Sequence, residues 1–514
     1  MVTETQYIHE DNPNKRLLLI LSPGWEPVQP FGLACLKSFL QSKGFYTRVF
    51  DLNVMLHKDL FNARGSDKKI KEVLDKGANL IYKQISENNI DAVGFSVYDP
   101  SFNNALYLAE KVKLEFGDDI KIIMGGPHIS YIGKDIMDFE FVDIAIPREG
   151  EIPLLEFMER ISSNKKIGYP CYFSRVNCKV KPPSEFRIVE NLDSLPYPNF
   201  EDIDIHSYPL PAIITSFSRG CTRKCSFCGV PNIYCGYREK SAEYIVNELK
   251  TNTDRFDCNL VLVTDALINA NPNLLNEVCD KIIKEDFEVY WASEALPDIS
   301  EKLAIKMYDA GCRFMYLSPE TGSQKIADLM RKGVNIGAAR KAFENVHSAG
   351  ITASAWFIFG FPMETRDDTE ETFKFIESID PLAEEIIFSP FGLGINTPIY
   401  KNPEKFGIKE IEERKGRMYC YYTPENQEFI LKNQIKNFIE LWNKYSPEPF
   451  PSEGVYKEII DMVEDRIEPS KDLQFLIGEK YEEVQFLYKG YGQEGEEYSY
   501  VDLFKESFKE VFGD

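Results

Sequence analysis

The sequence predicts an α/β protein: an N-terminal doubly wound (Rossmann-like) domain, then a partial (β/α)6 barrel, then a helical C-terminal extension. Three observations carry that prediction. Short apolar runs, partly β-branched, alternate with helical stretches twice, over residues 15–162 and again over 211–408. The connector between them, residues 163–210, carries Pro170, Pro182, Pro183, Pro196, Pro198 and Pro209, a density that disfavours regular elements. Three cysteines, Cys221, Cys225 and Cys228, follow the first apolar run of the second alternation.

In the first alternation, strands are expected at Leu17–Leu21, Thr47–Asp51, Ala92–Ser96, Lys121–Met124 and Asp143–Ile146, and a helix at Phe31–Leu40, ending before Gly44. Strands this apolar are buried on both faces, as in a parallel sheet. The segments after them are Ser22-Pro23-Gly24, Ser96-Val97-Tyr98, Gly125-Gly126-Pro127-His128 and Arg148-Glu149-Gly150-Glu151. Glycine there lets a ligand approach the backbone, or serves a tight turn.

In the second alternation the strands are expected at Ala212–Phe217, Leu260–Val263, Glu288–Ala292, Phe314–Leu317, Ala353–Phe359 and Glu385–Phe388. Their carboxyl ends would face one way, where α/β enzymes place their chemistry. The cysteines stand at C-x3-C-x2-C, close enough in sequence to converge on one metal centre. Structural zinc sites take four ligands, usually as two separated pairs. The nearest fourth cysteine, Cys235, is seven residues further on and past Pro231.

With Phe227 in the aromatic place of C-x3-C-x-aromatic-C, the sequence resembles the radical S-adenosylmethionine (SAM) enzymes. The resemblance implies a [4Fe-4S] cluster on Cys221, Cys225 and Cys228, with its fourth iron chelated by SAM. Other strand ends extend it. Thr264-Asp265-Ala266 stands at the place of a glycine-rich SAM motif and matches it in position alone. Ser293-Glu294 ends the third strand, and Ser318-Pro319-Glu320-Thr321-Gly322-Ser323 resembles an E-S/T-G-S segment. Phe359-Gly360-Phe361-Pro362-Met363-Glu364-Thr365 resembles a G-F-P-G-E-T loop, with Met363 in place of its second glycine. The resemblance thus nominates Phe227, Asp265, Glu294, Glu320 and Gly360 for the cluster and SAM, although each polar residue also suits a helix cap. Residues 15–162 resemble the cobalamin-binding domain that precedes many radical SAM cores. That nominates Ser22, Ser96, Gly125, Gly126 and Glu149 for cobalamin. No D-x-H-x-x-G motif is present, so cobalamin is expected without a protein histidine below the cobalt, and His128 reads as packed in its loop.

Composition narrows the function. A formal net charge of −23 argues against a nucleic-acid partner, which needs a basic surface. No run of 18 apolar residues exists, so no membrane span is expected. Eleven cysteines without a signal-like start point to reduced thiols in the cytoplasm. The resemblance implies electron transfer to SAM from a donor such as flavodoxin or ferredoxin. It further implies a 5′-deoxyadenosyl radical that removes a hydrogen atom, and methylation of a small-molecule or lipid-like substrate. Ring formation or rearrangement uses the same parts, and a non-catalytic metal-binding interaction protein is the reading from another class. Residues 409–514 read as largely helical, with an amphipathic stretch over 426–445.

Overall fold

The computed structural model describes residues 14–24, 29–63, 66–163, 171–176, 179–413, 416, 418–424, 431–445 and 486–489. The chain packs as two compact units, one of residues 1–211 with 232–238, the other of residues 212–231 with 239–514.

In the first unit the order is β1 (Leu17–Leu21), α1 (Phe31–Ser42), β2 (Thr47–Asp51), α2 (Leu52–Ala63), α3 (Asp67–Asn88), β3 (Ala92–Ser96), α4 (Phe102–Phe116), β4 (Lys121–Gly125), α5 (Pro127–Ile132), β5 (Ile144–Ala145), α6 (Glu151–Ser162), β6 (Phe173–Val176) and β7 (Lys179–Lys181). The sheet order is β2-β1-β3-β4-β5-β6-β7. Strands β1 to β5 are parallel, with Leu17–Leu21 in register against both Thr47–Asp51 and Ala92–Ser96. All five β1 side chains are buried, as a central parallel strand requires.

The connector departs from expectation. Strands β6 and β7 stand where proline density predicted no regular element, and they extend the sheet antiparallel from β5. Pro182 and Pro183 follow β7 directly, so they bound this hairpin and remove no ladder hydrogen bond from it. Further along, the segment packs on α1: Ser38 Oγ donates to Tyr197 O (2.6 Å) and Asn199 N to Ala34 O (3.2 Å). The buried Lys37 ammonium meets Asp202 at 2.8 Å. Cys171 is buried, as a structural cysteine is; Cys178 lies outside the described residues.

Next in the chain come β8 (Ile213–Thr215), β9 (Ser218–Arg219), the short α7 (Val230–Ile233) and β10 (Arg238–Glu239); α7 and β10 stand where the chain enters and leaves the stretch 232–238 that belongs to the first unit. The barrel follows: α8 (Ala242–Phe256), β11 (Leu260–Val263), α9 (Pro272–Glu285), β12 (Tyr290–Ala295), α10 (Glu301–Asp309), β13 (Cys312–Glu320), α11 (Gln324–Met330), α12 (Ile336–Ser348), β14 (Thr352–Phe359), α13 (Arg366–Ile379) and β15 (Glu385–Pro390). β8, β11, β12, β13, β14 and β15 are parallel neighbours in chain order, the partial (β/α)6 arrangement. Ser318–Glu320, expected in the loop after the fourth strand, belong to β13, which shifts register between Leu317 and Glu320. The irregularity lets Pro319 lie inside a central strand.

After the barrel come β16 (Leu393–Gly394), α14 (Pro398–Lys401), β17 (Ile408–Glu412), β18 (Tyr419–Pro424), α15 (Leu431–Tyr445) and β19 (Phe486–Lys489). The tail read as largely helical therefore holds, in its described residues, strands as well as a helix. β19 pairs antiparallel with β15, a long-range contact that a local pattern cannot announce. The amphipathic stretch is the helix α15; residues 425–430 lie outside the described residues. Its Phe438 and Trp442 pack on Phe388 at centroid distances of 4.8 and 6.1 Å. Cys420 and Tyr422 are core residues beside Phe361 and Phe391, so this end of the tyrosine-rich segment serves packing.

Candidate active site

At the carboxyl end of β8 the chain turns into the cysteine loop. Asp265, just past β11, organises that turn. Its Oδ1 accepts from Phe217 N at 2.6 Å, and its Oδ2 accepts from Ser218 Oγ. Burial raises its pKa to about 6 against these hydrogen bonds, which favour the charged form. The carboxylate is thus engaged with backbone and hydroxyl donors of the strand that delivers the cysteines.

Cys221, Cys225 and Cys228 are free thiols of intermediate exposure. Arg223 N lies 3.4 Å from Cys221 Sγ, and Val230 N lies 3.4 Å from Cys228 Sγ. Burial pushes the Cys225 thiol up to about 12, opposed by the Lys332 ammonium, and burial also raises Cys228. Phe227 packs edge-on against Phe361, centroids 6.4 Å apart, which ties the loop to the end of β14. Ser226 ties it to α11, donating its N–H to Met330 O (2.8 Å) and its Oγ–H to Leu329 O (3.0 Å).

A polar wall stands beside this loop. Ser318 Oγ donates to Glu294 Oε1 at 2.7 Å, and the Lys332 ammonium pairs with Glu320. Burial raises the Glu294 pKa, opposed chiefly by Lys332. For Lys332 itself burial acts downward, yet the charges of Glu320, Glu294 and Cys225 leave its pKa raised. Glu320 has φ 68, a left-handed conformation for a non-glycine residue. The residues after it are used structurally: Gly322 N donates to Thr372 Oγ1 (2.9 Å), and Ser323 Oγ donates to Asp368 Oδ1 (2.8 Å). The spacing of the motifs did not reveal Lys332. Its signal was a basic residue in Met330-Arg331-Lys332-Gly333, which reads in isolation as a solvated helix end.

Gly360 (φ 73) and Met363 (φ 70) are both left-handed, so Met363 keeps the backbone shape of a glycine without its ease. Glu364 folds back so that its Oε2 accepts from Gly360 N at 2.6 Å, and Thr365 caps α13 in a capping box with Asp368. That N–H of Gly360 is therefore already engaged. Burial lifts the Glu364 pKa to about 8, with Asp368 adding to the rise. A folded pKa above the unfolded value means that the folded chain binds more protons, so stability falls as pH rises through the window from about 4.5 to about 8. Urea unfolding is expected to show wild type losing about 3 kcal/mol more than Glu364→Gln between about pH 6 and about pH 9. Parallel pH profiles for the two would refute this assignment.

In the first unit Ser22, Ser96, Gly125 and Gly126 stand at the carboxyl ends of β1, β3 and β4, and Glu149 follows β5. Among the described residues, Ser22 Oγ and Asp51 Oδ2 are buried without a hydrogen-bond partner. Burial raises the Asp51 pKa to about 7. Gly24 is held by Asn53 Oδ1, which accepts its N–H at 2.8 Å, and a Cβ there would meet Tyr98 Oη at 2.2 Å. Gly126 has φ 99, and a Cβ on it would lie 2.6 Å from both N and O of Val97. Ser96 Oγ would be 3.2 Å from the same Cβ, whereas Gly125 is less crowded. Glu149 is buried and paired with Arg238, whose Nη1 also donates to Val189 O at 2.6 Å. His128 is packed: its Nδ1 is 3.0 Å from Asp99 Oδ1 and its ring is 4.5 Å from that of Phe102.

These features define the class: a two-unit α/β enzyme with a Rossmann-like sheet and a partial barrel whose first loop presents three thiols. Two family descriptions match the chain, the B12 binding domain over residues 26–157 and the Radical SAM superfamily over residues 215–376. The chain belongs to the radical SAM enzymes that carry a B12-binding domain. It is 26% identical over 308 residues to an uncharacterised methyltransferase of Pyrococcus horikoshii, covering 58% of this chain and 67% of that one. It is 25% identical over 384 residues to the anaerobic magnesium-protoporphyrin IX monomethyl ester cyclase of Rubrivivax gelatinosus, covering 70% of this chain and 64% of that one. The fold is shared with the radical SAM methyltransferase TsrM of Kitasatospora setae, at a TM-score of 0.66 and 15% identity over 83% of this chain and 89% of that one.

The family's cofactors are a [4Fe-4S] cluster, SAM and cobalamin. The residues present fit them. Among the described residues no group of three or more His, Cys, Asp or Glu is arranged around a single metal ion. In a cubane each cysteine ligates its own iron, so its donors stand further apart than those of a single-ion site. For cobalamin, the unpartnered Ser22 Oγ and Asp51 Oδ2 are buried polar groups that a bound ligand would satisfy, while Gly126 packs its backbone against that of Val97 and so fixes the shape of the loop beside them. Among the described residues no helix is long and apolar enough to cross a membrane.

Proposed function

We propose that this chain methylates an unactivated centre of a small-molecule or lipid-like substrate, using SAM and cobalamin. One observation carries the reading: a B12-binding domain and a radical SAM domain occur in a single chain. When bound, the cluster supplies the electron that breaks the SAM sulfonium, and cobalamin supplies a methyl carrier.

The chain's own residues would bind and orient. Cys221, Cys225 and Cys228 hold the cluster, and Phe227 braces their loop against Phe361. Asp265 holds the strand end in place, while Glu294, Glu320 and the Gly360 turn form the polar wall offered to SAM. Ser22, Ser96, Gly125 and Gly126 form the cobalamin cradle; Glu149, paired with Arg238, supports it from the loop before α6. The reductant is a flavodoxin- or ferredoxin-type donor, the setting is the reducing cytoplasm, and the charge of −23 disfavours nucleic acid as substrate.

Ring formation is the second reading, favoured by the similarity to the Rubrivivax cyclase. Product ratios separate them. Methylation consumes SAM twice, leaving S-adenosylhomocysteine and 5′-deoxyadenosine in roughly equal amounts, a stoichiometry that follows from the cofactor chemistry. The measurement is anaerobic turnover with cell extract as substrate source, a chemical reductant, and mass spectrometry of both products. Substrate-dependent 5′-deoxyadenosine with S-adenosylhomocysteine at background would reject methylation in favour of ring formation or rearrangement.

A further inference from the structure

We propose that the Lys332–Glu320 ion pair sets the reduction potential of the centre held by Cys221, Cys225 and Cys228, Lys332 raising it and Glu320 lowering it. The inference rests on the cluster assignment above and adds to it a role for charge placement.

The geometry brings Lys332 to the cysteine loop by two separate contacts. Ser226, between the second and third cysteines, is hydrogen-bonded to Leu329 and Met330. Arg223, between the first and second, closes on Gly333, where a Cβ would be only 2.7 Å from its Nη1. The loop is thus clamped on residues 329–333, and Lys332 lies inside the clamp at 5% exposure. Its ammonium is held by Glu320 at the end of β13. Lys224 lies within the same loop but is exposed, so water and salt screen it. Lys332 is buried and the Glu320 side chain is only 12% exposed, so screening is weak and each charge is felt separately at short range.

One-electron reduction of a [4Fe-4S] cluster adds one negative charge to a centre that already carries thiolates. A neighbouring cation stabilises the reduced form and raises the potential; a neighbouring anion does the reverse. The two ends of one ion pair therefore act with opposite signs, which no structural role shared by both residues would produce.

The test is an anaerobic redox titration with dithionite, followed by electron paramagnetic resonance, on full-length protein of verified iron and sulfide content and without SAM. Lys332→Gln is expected to lower the potential so that the reduced-to-oxidised ratio at fixed potential falls about tenfold, equal to about 59 mV for one electron. Glu320→Gln is expected to move it the other way, and Lys332→Arg to stay near wild type. Equal-sign shifts, or unmoved potentials in loaded variants, overturn the proposal. If Lys332→Gln does not load, the sign of Glu320→Gln and the position of Lys332→Arg still decide it. Wild type without a cluster would sink the cluster assignment itself; loaded variants with unmoved potentials sink only this inference.

Discussion

Anaerobically reconstituted protein is expected to hold about four iron and four sulfide, and the triple change of Cys221, Cys225 and Cys228 to Ala to remove both. Each thiolate would be the sole protein ligand to its iron, so the loss should not be graded by packing. The loop itself should survive, because what holds its shape is elsewhere: Asp265 on Phe217 and Ser218, Ser226 on Met330, and Phe227 on Phe361. Circular dichroism close to wild type with no iron is the expected pair of results. Full iron retention in the triple variant would sink the assignment. Cys235→Ala is the control. That sulfur accepts from Arg148 Nη1 at 2.9 Å within the first unit, and its removal should leave iron and sulfide unchanged.

Gly126→Ala is expected to abolish cobalamin retention and to destabilise the first unit by about 2–4 kcal/mol. Two effects add here. The backbone at φ 99 is strained for any residue with a side chain, and the new Cβ would lie 2.6 Å from the Val97 backbone, which cannot swing aside. Wild type reconstituted with hydroxocobalamin should keep its visible absorption after desalting; the variant should not. Gly32→Ala is the matched control, since a Cβ there meets nothing within 4 Å and the residue is inside α1. Loss of absorption in Gly32→Ala as well, or retention in Gly126→Ala, would refute the cradle at this loop.

Much of the architecture was legible in local pattern. Leu17–Leu21, Thr47–Asp51 and Ala92–Ser96 occur as expected because an apolar, β-branched run bounded by turn residues has few alternatives. The cysteine spacing and Phe227 were legible as one loop for the same reason: residues on one tight loop must be close in sequence. Thr365, in the loop after the fifth barrel strand, caps the helix that follows, as a threonine before Arg366-Asp367-Asp368 suits.

What the chain could not declare locally depends on partners far apart in sequence. The β6–β7 hairpin forms because β5 offers an open edge, and β19 exists because β15 does. Glu320 reads as a free ligand until Lys332 is folded back on it, and Gly360 N–H reads as available until Glu364 turns to it. Glu149 likewise meets Arg238, 89 residues away. A charge or donor is spent or free according to what lies within about 3 Å of it, and for buried groups that neighbour is chosen by packing, because an unpaired buried charge is too unfavourable to persist. The sequence by itself therefore determined the fold class, the two-part organisation and the three thiols. Only the tertiary structure decided which polar residues around those thiols are already engaged, and that a buried lysine stands among them.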